Sequence, residues 1–316
     1  MNNPFCLHCY EELTAPDELL HNKCIKNFYH QNTLPLLPYG IDELNKLAED
    51  VVLKRITIPG VQPKISLHLK TESGPSRFTI VGLWGIYILK PPVGIYPSLP
   101  ENESLTMKMA SAAGIRTVPY SLIPLKTKEL CYITERIDRT KDGAKIQMED
   151  MCQLTGKLTE QKYHGSYEQI AGALKKYSDN PLFDITELLK VLLFSFITGN
   201  GDMHLKNFSL IETDELTHLS PAYDLLSTRL VIPEKDDPDD MALSLNGKKR
   251  KLTKEDFFQF SSTSGLTAKQ FSNIYEEIIE SSSSIKHIIP KSFLPEIMQA
   301  EYIKIIEDRV RRLKQN

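Results

Sequence analysis

A chain of 316 residues, 41% hydrophobic and 25% charged, can bury one or two ordinary cores, and its formal net charge of −3 provides no global basic field for nucleic acid or anionic membrane. No apolar run reaches the ~18 residues of a membrane helix, and the start MNNPFCLHCYEE lacks the basic and apolar stretches of a secretory signal, so a cytoplasmic location away from membranes is expected. Five cysteines, an odd number, suit a reducing compartment better than a disulfide framework.

Residues 1–40 read as a Cys/His-containing N-terminal segment. Cys6 and Cys9 stand three positions apart, His21 and Cys24 repeat that spacing, and such pairs can clamp a tetrahedral zinc ion. The pairs lie close together in the chain, so a second reading stays open: reduced, partly buried thiols in a compact knuckle, with His30 able to replace His21. A zinc-ribbon adaptor on nucleic acid is disfavoured, because Lys23 and Lys26 are the only basic residues besides histidine here. Direct nucleic acid binding is not expected.

Pro35, Pro38 and Gly40 punctuate the chain before IDELNKLAEDVVL, a short amphipathic helix. Residues 54–70, KRITIPGVQPKISLHLK, predict two strands about a turn at Pro59-Gly60. Further strands are expected at 85–90, 117–125 and 130–137. Between the first two, ENESLTMKMASAAG (101–114) places Leu105, Met109 and Ala112 or Ala113 on one helical face, with Gly114 just past the end.

From about residue 145 helices dominate, at 166–177, 185–198, 267–280 and 294–313. The serine-rich runs 261–265 and 280–284 read as loops or helix caps, and NGKKRK (246–251) as a solvated loop after the acidic EKDDPDD. The pattern predicts an α+β chain with a β-rich N-lobe over 41–137 and a helical C-lobe over 138–316, with a cleft expected between the halves.

The stretch ITGNGDMHLKNFSL (197–210) sets Asp202, His204 and Asn207 behind two glycines that break an apolar helix. An Asp and an Asn five positions apart on such a loop suit phosphoryl transfer: the carboxylate orients or deprotonates a hydroxyl, and the amide oxygen ligates Mg²⁺. Asp224, in the apolar company of SPAYDLLS, is costly to bury without a partner or a metal and is the natural second magnesium ligand. Lys90 ends the strand GIYILK, where nucleotide phosphates can supply its counter-anion and Glu103 can hold its ammonium. Taken singly, Lys90 also reads as a snorkelling edge lysine and His204 as a loop histidine.

Together, GVQPKISL, YILKPP, ENESLTMKMASAAGI, YITERIDR, ITGNGDMHLKNFSL and SPAYDLLS resemble, in order, the HipA-type serine/threonine kinases, toxins of bacterial HipBA and HipBST modules. The resemblance runs from about residue 54 to 230. It implies a bilobal protein-kinase-like fold, ATP and Mg²⁺. On it, Asp202 matches the catalytic aspartate, Asn207 and Asp224 the magnesium ligands, and Lys90 the lysine that pairs with nucleotide phosphates. Gly60, Val61, Gln62 and Lys64 match the loop over the phosphates. Glu135, Arg136 and Ile137 match the adenine hinge, and His204 and Tyr223 line that pocket by position.

Little chain precedes these motifs, so the sequence looks most like the short HipT branch, for which HipS-like and HipB-like antitoxins are the implied partners. Aminoacyl-tRNA synthetases are the implied substrates, with translation arrest as the outcome. In TIPG, Pro59 stands at one place where HipT-like loops carry serine, which leaves Thr57 as the autophosphorylation candidate.

Two rival readings remain. Aminoglycoside and choline phosphotransferases share the GDxHxxN loop but set their second metal aspartate in IDW or IDF rather than AYDLL. A catalytically silent, HipA-like binding protein would lack Asp202, Asn207, Asp224 or Lys90, and all four are present.

Overall fold

A computed structural model describes residues 4–44, 46, 62–71, 75–82 and 84–315. The chain divides into two compact units, one of Met1–Leu105, Val118–Lys145 and Lys291–Leu294, the other of Thr106–Thr117, Ile146–Pro290 and Pro295–Asn316.

In the first unit, helix α1 (Asn22–Tyr29) buries Cys24, Ile25, Phe28 and Tyr29 on one face. Strands β1 (Ile65–Lys70), β2 (Arg77–Ile80), β3 (Tyr87–Lys90), β4 (Tyr120–Pro124) and β5 (Leu130–Glu135) form an antiparallel sheet in the order β2-β1-β3-β5-β4. Its buried rows include Leu67, Leu89, Leu122 and Ile133, all fully enclosed. Gly85 precedes β3 where the neighbouring backbone comes close: a Cβ there would lie 2.4 Å from the Leu67 carbonyl oxygen. Against the sheet, Phe28 and Tyr29 of α1 meet Tyr87 and Phe78 edge to face at 5.9 and 6.0 Å.

Helix α2 (Leu99–Ala112) departs from the single apolar stripe its spacing predicts. Asn102, Glu103, Ser104 and Thr106 are as buried as Leu105 and Met109. Burial of that polar side is tolerated because its groups find partners: the Tyr10 hydroxyl donates to Ser104 at 3.0 Å, and Thr106 shares a 2.7 Å hydrogen bond with Tyr302.

The second unit holds a small sheet of β6 (Met148–Asp150), β7 (Ser209–Thr213) and β8 (Leu216–Leu219), with β7 central. Around it run the helices α3 (Met151–Leu154), α4 (Tyr167–Tyr177), α5 (Pro181–Thr198), α6 (Lys254–Thr263), α7 (Ala268–Lys286) and α8 (Glu296–Lys314). Helix α5 is the core: Leu188, Leu189, Leu192, Leu193, Phe196 and Ile197 are fully buried, and it packs against α4, α7 and α8. It ends at Gly199, whose φ of +68° and close approach to Arg229 exclude a side chain.

The serine runs correct the sequence reading only in part, since Ser264 is the C-cap of α6 as a cap reading expects, while the other serines of the two runs are helical. Ser261, Ser262 and Thr263 lie inside α6, and Ser281 to Ser284 inside α7, where the hydroxyls of Ser281, Ser282 and Ser284 donate to carbonyls three residues back. That back-bonding satisfies groups that would otherwise pull the chain out of helix. The predicted strand before Pro59-Gly60 lies outside the described residues, while its partner half is β1. NGKKRK is a largely exposed loop, with Lys248 paired to the buried Asp256 at 2.8 Å. Among the described residues no helix is long and apolar enough to cross a membrane.

Asp184, at the start of α5, is fully buried, and its Oδ2 accepts from the Ser178 hydroxyl at 2.6 Å and from the Leu219 N–H at 2.8 Å. It thereby ties α5 to β8. Asp184→Ala leaves a buried N–H without its acceptor, and we expect a loss of about 3 kcal/mol in chemical denaturation, with the Asn variant intermediate.

Candidate active site

Lys90 closes β3 in the middle of the five-stranded sheet, between β1 and β5. Its side chain is buried, its Nζ lies 2.5 Å from Oε1 of the buried Glu103, and the Tyr132 ring sits 5.2 Å away. This overturns the reading of Lys90 as a snorkelling edge lysine. Two enclosed charges are tolerable only as a close, hydrogen-bonded pair. Beside it, the Gln62 side chain donates to the Pro91 carbonyl at 2.9 Å, which ties the residues ahead of β1 to the end of β3, and Lys64 is exposed. Thr57, Gly60 and Val61 lie outside the described residues.

At the end of β5, the Glu135 N–H donates to Pro119 and the Arg136 N–H to Ile86. Of the three residues matched to a hinge, Ile137 is thus the one whose N–H these bonds leave available. The Glu135 carboxylate faces His30 at 3.4 Å, and its pKa is raised, burial outweighing the partial offset from His30 and Lys141.

In the second unit, the glycines after α5 release a loop that its own polar groups then fix. Asn200 Oδ1 accepts from the Asp202 N–H at 3.1 Å, Gly201 N–H donates to Thr228 at 2.8 Å, and Asn207 Nδ2 donates to the Asp202 carbonyl at 2.8 Å. Below, the buried Tyr167 hydroxyl donates to the Met203 carbonyl at 3.0 Å. The peptide around Asp202 is therefore gripped from both sides, while the side-chain carboxylate keeps partial access to solvent.

Asn207 sits in a 3₁₀ turn, Leu205–Asn207, rather than in a strand, because β7 begins two residues later. With its Nδ2 committed to Asp202, its Oδ1 is the atom left to ligate a cation. Asp224 adopts φ +56°, a left-handed conformation uncommon for a side-chain-bearing residue and concentrated at functional sites. The preceding Tyr223 anchors that segment to the loop, since its hydroxyl bonds Ser209 at 2.6 Å and the Lys206 carbonyl at 3.0 Å.

His204 is buried, and burial lowers its pKa to about 4 against the pull of the Asp202 and Asp224 carboxylates, so its ring is neutral at pH 7. Its Nδ1 is buried without a hydrogen-bond partner. Asp202, His204, Asn207, Tyr223 and Asp224 thus occupy one neighbourhood.

Sequence reasoning missed Tyr163. Its hydroxyl donates to Asp202 Oδ1 at 2.6 Å, and its ring meets His204 edge to face at 5.1 Å. Burial, and then the Asp202 charge, push its pKa up, so the phenol stays protonated and the contact is a true donation. Thirty-nine positions separate the partners, and a lone loop tyrosine carries no period or cap to mark it. Lys206 lies within the quoted loop, but its pairing with Asp150 at 2.6 Å, 56 positions away, had no mark in the sequence.

The N-terminal donors also converge. Cys6, Cys9, His21 and Cys24 present ligand atoms within 4.8 Å of one another. His30, the other candidate, caps the far end of α1 and faces Glu135 instead.

The model of the HipA-like C-terminal domain family matches residues 56–285. A protein of Sinorhizobium fredii named "Putative kinase Y4mE" is 32% identical over 182 residues, covering 55% of this chain and 43% of that protein. The "Serine/threonine-protein kinase toxin HipA" of Shewanella oneidensis is 28% identical over 193 residues, with the same shares of each chain. The chain thus spans less than half the length of either relative. Among solved structures, the Shewanella oneidensis MR-1 toxin–antitoxin complex of HipA, HipB and operator DNA superposes with a TM-score of 0.70 at 22% identity, over 89% of this chain and 72% of that one. The fold is therefore α+β and kinase-like, and the chain belongs to the HipA-like C-terminal domain family.

Proposed function

We propose that this protein is an ATP-dependent serine/threonine kinase that transfers the γ-phosphoryl group to a protein hydroxyl. The observation that carries this reading is the Asp202 loop: a carboxylate on a backbone gripped by Asn200 and Asn207, already accepting an O–H from Tyr163 at 2.6 Å. A substrate serine or threonine would make that same contact, and Asp202 would orient its hydroxyl and take its proton.

Asn207 Oδ1 and the Asp224 carboxylate are the oxygen donors suited to Mg²⁺, a hard cation that neutralises phosphate charge when bound. Lys90, held by Glu103, would pair with the nucleotide phosphates, assisted by Lys64, Gln62 and the segment containing Gly60 and Val61. Adenine would rest on the Glu135, Arg136 and Ile137 backbone, with Ile137 as N–H donor. A neutral His204 adds no competing cation beside Asp202 and Asp224.

The same reading extends to a toxin of a toxin–antitoxin module, near the HipT branch. HipS-like and HipB-like proteins would be its partners, an aminoacyl-tRNA synthetase its substrate, translation inhibition its effect, and Thr57 its autophosphorylation site. What supports this is the kinase-toxin name of the Shewanella relative and the presence of HipB in the solved complex.

The test is incubation of the purified protein with labelled ATP, Mg²⁺ and a bacterial lysate, followed by mass spectrometry. Label on a protein serine or threonine is expected. Label confined to small molecules would replace this reading with a small-molecule phosphotransferase, and no label at all would leave a silent binding protein.

A further inference from the structure

We infer that Cys6, Cys9 and Cys24, as thiolates, and His21, through Nδ1, hold a structural zinc ion that locks the N-terminal knuckle onto the sheet of the first unit.

The four donor atoms lie within 4.8 Å of one another, close to the ~3.5–4 Å separations that a tetrahedron of Zn–S bonds near 2.3 Å and Zn–N bonds near 2.0 Å imposes. Cys9 Sγ is 3.3 Å from His21 Nδ1, and Cys24 Sγ is 3.9 Å from it. All are free thiols, and three sulfurs about one point cannot be resolved by a single disulfide.

The histidine supplies an independent observation. Its Nε2 lies 2.9 Å from the Glu12 backbone carbonyl, which can only accept, so Nε2 carries the proton and Nδ1 turns a lone pair toward the sulfurs. A backbone carbonyl that fixes the tautomer is the usual outer support of a zinc-bound imidazole. Four protein ligands also leave no open position, which makes the site structural. A soft sulfur-rich tetrahedron favours zinc over hard cations such as magnesium.

The local chain is folded for this. Cys6 and Cys9 flank a tight turn in which Tyr10 N–H returns to the Cys6 carbonyl at 3.1 Å and Tyr10 takes φ +64°. His21 and Cys24 form the first turn of α1, with Cys24 N–H donating to the His21 carbonyl at 2.9 Å. One ion would thus pin the turn to the helix start. The knuckle in turn covers the sheet edge, where Leu122 N–H of β4 donates to the Leu7 carbonyl at 3.2 Å. At its far end α1 delivers His30 to Glu135, so the ion would also steady the residue that opens the proposed hinge.

Metal analysis of the full chain, purified under reducing conditions with zinc present, is expected to give one zinc per chain. The zinc should be retained in Cys152→Ser, outside the cluster, and lost in Cys9→Ser. If Cys9→Ser does not fold, cobalt substitution of the wild-type chain decides: an intense four-coordinate spectrum with thiolate charge-transfer bands is expected. A folded wild-type chain without stoichiometric zinc, full zinc retention in a folded Cys9→Ser, or a pale six-coordinate cobalt spectrum would each overturn the inference. None of these readouts depends on kinase activity, so the site and the proposed reaction stand or fall separately.

Discussion

Asp202→Ala will lower phosphoryl transfer by about 10³-fold, within the 10²–10⁴ range typical of losing a positioned general base. The fold should survive, because the interactions that fix this loop run through the Asp202 backbone: its N–H to Asn200 and its carbonyl from Asn207, both retained by alanine. The side chain is only partly buried, and its loss should change stability by about 0.5 kcal/mol or less. Asp202→Asn is the sharper variant. It keeps an oxygen for the Tyr163 hydroxyl yet cannot accept the substrate proton, so its rate should fall as far as that of alanine. Steady-state kinetics should show the loss in kcat with the KM for ATP little changed. Activity within tenfold of the wild type would remove Asp202 from the reaction.

Lys90→Met should abolish activity and also destabilise the first unit by about 3–5 kcal/mol, because it removes the cationic partner of the Glu103 carboxylate in a site where Glu103 is 1% exposed. The same logic predicts strong non-additivity. Lys90→Met combined with Glu103→Leu replaces a buried ion pair by apolar groups of similar volume, and should recover most of the lost stability while remaining inactive. Denaturant titration reads the first effect and phosphoryl transfer the second. If the single variant unfolds at the wild-type midpoint, the 2.5 Å pair contributes nothing to the fold and its role is confined to phosphate binding. If the double variant regains activity, Lys90 has no part in the chemistry.

Much of this was legible in the chain itself. Helix α5 announces itself from residue 185, because a run rich in Leu, Phe and Ile ends at a glycine and so much apolar surface must be central, although the structure begins the helix at Pro181. The loop behind it was legible because Asp, His and Asn after a helix break have no structural use that a single cap would not serve. Strand β2 and the three-residue β6 gave no signal, since so few residues cannot display alternation. Helix α1 does carry its apolar residues at helical spacing, but within eight residues that also hold Cys24 the metal pattern masked the period.

The sequence by itself determined the periods, the breaks and the inventory of reactive side chains, because these depend on residues a few positions apart. Tertiary structure alone decided which of them meet. It chose His21 over His30 because α1 carries the two to opposite ends of one rigid element. It buried the polar face of α2 and made Lys90 an enclosed cation by setting β3 inside the sheet. It also brought Tyr163 to Asp202 across 39 positions. Such meetings depend on closing long loops against their entropy and on filling volume from several elements at once, and no local pattern of residues encodes either.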